Sequence, residues 1–98
     1  MKLLHAIELV GCPHEAWATC ESGRFTRMPG LVSARSRVYA AMRCNWRGNP
    51  EAEMSLPLVA SECGHKCHTT VLYSIRRLCG SADAAACRAW LDAWSMQR

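Results

Sequence analysis

Four residues that can ligate a metal or act as nucleophiles crowd into one short stretch of the chain. Cys63, His65, Cys67 and His68 open "CGHKCHTTVLYSIRR", the run from Cys63 to Arg77. Thiolate and imidazole are the ligands of structural zinc, which takes four in a tetrahedron, usually as two separated pairs. A run this short, with a single glycine, rarely wraps four ligands around one ion. A second pair would have to come from Cys44 with Cys79 or Cys87, and none of these belongs to a CxxC or HxxxH unit. The other chemistry is nucleophilic, since a helix N-terminus lowers the pKa of a thiol such as Cys67 and a histidine can serve it as base. Nothing else in the sequence supports catalysis: there is no glycine-rich phosphate loop and no pair of carboxylates in a shared segment. The expectation is therefore no enzyme, no metal and no cofactor.

A third reading makes the cluster a turn between two helices. "KCHTT", Lys66 to Thr70, carries groups suited to nucleic acid. Lysine meets a phosphate, histidine bonds a base edge, and threonine offers a hydroxyl together with a methyl that packs on thymine. In a helix-turn-helix the second helix presents its N-terminal side chains to the major groove while the first crosses the backbone.

The charge pattern points the same way. The net charge is +4, and no acidic residue lies between Glu21 and Glu51, a window holding Arg24, Arg27, Arg35, Arg37, Arg43 and Arg47. A second acid-free window, Cys63 to Ala82, holds Lys66, Arg76 and Arg77. A basic stripe suits a polyanion partner, although a solvated basic face reads the same in sequence. The seven cysteines follow no disulfide framework and read as reduced thiols packing like small hydrophobes. No apolar run approaches the ~18 residues of a membrane span. "MKLLHAIELVG" carries Glu8 and lacks a small-residue cleavage site, which argues against a signal peptide; the expected location is the cytoplasm, with nucleoid association going with a DNA partner.

The elements that must position these residues read as one all-α domain, 1–98, of about six helices. Lys2–Val10 forms the first, with Leu3, Leu4, Ile7 and Val10 as its apolar stripe and Gly11 as its stop. Pro13 starts a short second helix to about Cys20, with Ala16, Trp17 and Cys20 on one face. Arg24–Gly30 is a basic loop closed by the Pro29-Gly30 turn signal. A third helix runs from Val32 or Ser33 to about Cys44, with Ala34, Val38, Ala41, Met42 and Asn45 on one face and Arg35 and Arg43 on others. Ser55 caps a fourth helix that tolerates Pro57 in its first turn and exits at Gly64. A fifth starts near Cys67 or His68 and ends at Cys79. Its apolar positions, Val71, Leu72, Ile75, Leu78 and Cys79, follow helical spacing. Gly80 stops it, and Ser81 leads into a last helix, about 82–96, with Ala86, Trp90, Ala93 and Trp94 inward. The helix-turn-helix spans about 55–79.

"SLPLVASECGHKCHTTVLYSIRRL", Ser55 to Leu78, resembles the DNA-binding C-terminal domain of the bacterial replication initiator DnaA. The shared pattern is Ser-Leu-Pro, a helix closing on glycine, then a turn ending in His-Thr-Thr-Val. "ARSRVYAAMR", Ala34 to Arg43, is similar to the family's arginine-rich helix start. The resemblance implies a DnaA- or Trp-repressor-like fold in which Cys67, His68 and Thr69 read bases, Thr70 lies near the backbone, and Lys66 holds a basic position. It also implies that Arg35 and Arg37 grip phosphates, and that a minor-groove arginine lies in the basic loop, at Arg27 or else Arg24.

The chain departs from that pattern in several places. Cys67 stands where the family has an acidic residue, a good acceptor from cytosine N4, and a thiol accepts weakly. Cys63 and His65 replace an aromatic residue and a glycine, which implies local repacking. "CNWRGNPEAEM" is longer than the family's usual link. The 98 residues hold no ATPase domain, so this chain does not assemble or melt an origin by itself. The expected partner is double-stranded DNA, and the expected role is transcriptional regulation in a phage, gene-transfer element or bacterium. One alternative is a modulator of replication acting at initiator sites, in touch with replication or transcription machinery. Another is a protein-binding adaptor that uses an exposed Trp46 loop or the Trp90/Trp94 helix. No membrane partner is expected.

Overall fold

A computed structural model describes residues 1–17, 25 and 28–97. Those residues form five α-helices and two short 3-10 turns, with no strand among them. The helices are α1 (Leu3–Val10), α2 (Pro29–Cys44), α3 (Leu56–Glu62), α4 (Thr69–Cys79) and α5 (Ala84–Met96), and the 3-10 turns are His14–Trp17 and Pro50–Ala52.

The longest helix, α2, is the axis of the fold. It starts at Pro29, so Pro29 and Gly30 are its first turn and not the end of a loop as the sequence suggested. Proline suits that place, because its missing N–H is one the helix cannot use. Ala34, Val38, Ala40, Ala41, Met42 and Cys44 are all buried, together with Tyr39 and even Arg35 and Ser36. A helix covered on so many sides cannot show the single inward stripe the spacing predicts; α1, α3, α4, α5 and the first 3-10 turn all pack on it. Small residues at 34, 36, 40 and 41 leave room for those neighbours to approach.

The other helices are amphipathic with one buried face each. In α1 that face is Ala6, Ile7 and Val10, while Leu4, expected inside, is 70% exposed. The second predicted helix is only a 3-10 turn over its described part, and Cys20 lies outside the described residues. In α5 the inward residues are Ala84, Cys87 and Leu91. Trp90 and Trp94 are half-buried and stack on each other, and Ala93 is exposed.

Polar staples fix the long connection after α2. Arg43 donates from Nε to the Ala82 carbonyl at 3.1 Å and from Nη1 to the Met54 carbonyl at 2.9 Å. Arg88 donates to the Cys44 carbonyl at 2.9 Å. Trp46, buried rather than exposed, donates its indole N–H to Asp92 at 2.9 Å. Each bond joins segments far apart in sequence, and each satisfies a group that would cost free energy if left alone in the interior.

Candidate nucleic-acid interface

The site begins with a well-capped helix. Ser55 Oγ accepts from the Leu58 N–H at 3.3 Å, and Pro57 sits in the first turn of α3. The chain then leaves α3 through Cys63 and through Gly64, whose φ of 79° lies in the left-handed region. That conformation suits glycine because it lacks a Cβ. Residues 63–68 bring the chain round to α4, which packs on both α3 and α2.

The four residues of the metal-like cluster go to four different surroundings. Cys63 is buried, its thiol 3.8 Å from the Met42 sulfur, and burial pushes its pKa up to about 12. His65 packs inward, with its Nε2 2.8 Å from the Tyr39 hydroxyl. Its ring meets Phe25 and Tyr39 edge-on. Burial, with the Arg35 charge nearby, holds the His65 pKa below its usual value. Cys67 and His68 are exposed. Among the described residues no group of His, Cys, Asp and Glu is placed to hold a metal ion. The His65–Tyr39 bond instead ties the turn to α2.

Beyond His65 the side chains face solvent. Lys66, Cys67, His68, Thr69 and Thr70 are all exposed, five consecutive residues running from the turn into the first two positions of α4. Val71 and Ile75, fully buried, hold the opposite side of the helix to the core. Cys67 stands one residue before the N-cap, His68, whose own side chain makes no capping bond. Its sulfur lies 2.9 Å from the Thr69 hydroxyl and accepts from the Thr69 N–H at 3.5 Å. The contact with the Thr69 hydroxyl, helped by that N–H, lowers the Cys67 pKa below that of a free thiol. Cys67, bonded to Thr69, thus occupies the place where the resembled family carries a carboxylate.

The arginines divide. Arg35 is 8% exposed. Its guanidinium donates to the Ala16 carbonyl at 2.6 Å and lies over the Phe25 ring. It is an internal cross-link between α2 and the preceding segment, with little surface left for the phosphate contact the resemblance implies. Arg37 is half-buried, its guanidinium 5.0 Å from the centre of the Trp94 ring. Arg27 and Arg24, the candidates for a minor-groove arm, lie outside the described residues. Three exposed residues further along α4 escaped the sequence reading of the site: Tyr73, Arg76 and Arg77. The signal was present, because they follow Thr69 and Thr70 at helical spacing.

Compared with known protein families, with curated proteins and with solved structures, the chain matches none of them.

Proposed function

We propose that this chain is a sequence-specific double-stranded DNA-binding protein of the DnaA C-terminal type. In this reading α3 and α4 act as a helix-turn-helix and the start of α4 enters the major groove. The observation that carries the reading is the unbroken exposure of Lys66, Cys67, His68, Thr69 and Thr70 at the N-terminal end of a helix anchored on its other side. Lys66 binds a phosphate, His68 and Thr69 bond base edges, Cys67 accepts weakly, and Thr70 serves the backbone or a thymine methyl. Transcriptional regulation is the role this suits, and modulation of replication would use the same interface at different genomic sites.

Site selection from a randomised duplex pool tests the reading. The expected result is enrichment of one short sequence, bound in a shift assay with affinity that falls steeply as salt rises. Recovery of no preferred sequence, with no duplex shift at low salt, overturns it. That outcome would favour an adaptor role, for which the half-buried Trp90–Trp94 stack offers the contact surface.

A further inference from the structure

The exposed surface of α4 does not stop at Thr70. An α-helix turns about 100° per residue. Val71 and Ile75 are fully buried, and the direction midway between them points into the core. Tyr73 lies two residues from each, so it projects about 180° from that direction. It is 60% exposed, among the largest apolar surfaces the described residues leave in solvent. Thr69 and Thr70 stand one turn before it, and Arg76 and Arg77 one turn after. All five fall within an arc of roughly 120° centred on Tyr73. Arg76 and Arg77 are exposed, and among the described residues neither is paired with a carboxylate.

Taking the DNA-binding reading as its basis, we propose that Tyr73 is the central base contact of α4. Arg76 and Arg77 then bind phosphates on opposite walls of the major groove. The groove is about 12 Å wide and admits a helix with side chains on both flanks. The two arginines diverge by about 100°, so they reach toward different strands. From the middle of the arc the Tyr73 ring covers a thymine methyl, and its hydroxyl donates to a base or phosphate acceptor. A helix presenting only its first residues reads a short site. The added turn lengthens that site and doubles its grip on the backbone.

The test uses the full chain and its selected duplex, with binding followed by anisotropy across a salt series. Relative to wild type, the Arg76→Ala/Arg77→Ala protein is expected to show a slope of log affinity against log salt shallower by about 2. Phosphate ethylation interference should be relieved on one strand by Arg76→Ala and on the other by Arg77→Ala. Tyr73→Ala is expected to keep the wild-type slope but to lose about tenfold in discrimination against a mismatched duplex, whereas Tyr73→Phe loses less. All three side chains are exposed, so the variants should melt as wild type does, checked by circular dichroism. Wild-type slope in the double variant together with wild-type discrimination in Tyr73→Ala overturns this inference and leaves the DNA-binding reading standing. Absence of duplex binding by the wild-type chain overturns both.

Discussion

On the proposed DNA-binding reading, Cys67 is the residue with the most to say about which sequence is preferred. A carboxylate at that place accepts from cytosine N4, and a neutral thiol does so weakly. Cys67→Asp should raise preference for cytosine at one position of the selected site by about 1–3 kcal/mol, read from paired duplexes differing at that base. An unchanged preference would show that Cys67 faces no base. His65 makes a different prediction, about stability. Burial and Arg35 hold its pKa below 6.5, so the folded state binds fewer protons than the unfolded chain. Its contribution is therefore present above about pH 6.5 and is lost as pH falls through the lower folded value. Tyr39, Phe25 and Arg35 face this ring, and of these only Arg35 carries charge, of the sign that opposes a second cation. Denaturant midpoints should drop between pH 7.5 and pH 5 more for wild type than for His65→Gln. Equal drops would contradict the assignment.

At the scale of elements, the connection after α2 and the exit from α3 are where single changes should tell. Arg43→Ala leaves the Ala82 and Met54 carbonyls without their donor and should cost about 2–3 kcal/mol in chemical denaturation. A loss under about 0.5 kcal/mol, the scale of an ordinary surface substitution, would contradict its role as a staple. Gly64→Ala meets no atom within 4 Å, so its cost, about 1–2 kcal/mol, is that of the left-handed backbone alone. These elements differ in how far sequence revealed them. Ser55, Pro57, Gly64 and Gly80 act locally, through a cap, a first turn and two left-handed exits, and local signals can be read from neighbours in the chain. Arg35 and Arg43 could not be read that way, because their partners at Ala16, Ala82 and Met54 are fixed only by the tertiary fold. Trp46 failed for the same reason, its loop being folded back onto Asp92 and Trp94 of α5. The exposure of the candidate site was legible at Lys66–Thr70, where a polar run meets a helix start. Tyr73, Arg76 and Arg77 share its exposed face but lie one to two turns further along α4, beyond the polar run that marks the helix start.

For the whole molecule, the radius of gyration of 12.4 Å agrees with the ~13 Å of a single domain of about 100 residues. The net charge of +4 overstates the uniformity of its surface. Arg35 and Arg43 spend their guanidinium groups on internal carbonyls, while Lys66, Arg76 and Arg77 remain exposed on or beside α4. Three exposed cations thus lie on or beside α4, the face proposed to meet DNA. The claim that α4 meets DNA is tested most directly by nuclear magnetic resonance of the labelled chain titrated with its selected duplex. The largest shifts are expected at Lys66, Cys67, His68, Thr69, Thr70 and Tyr73, with the Trp90 and Trp94 indoles nearly unmoved. Shifts centred on Trp90 and Trp94, with the start of α4 unchanged, would contradict it.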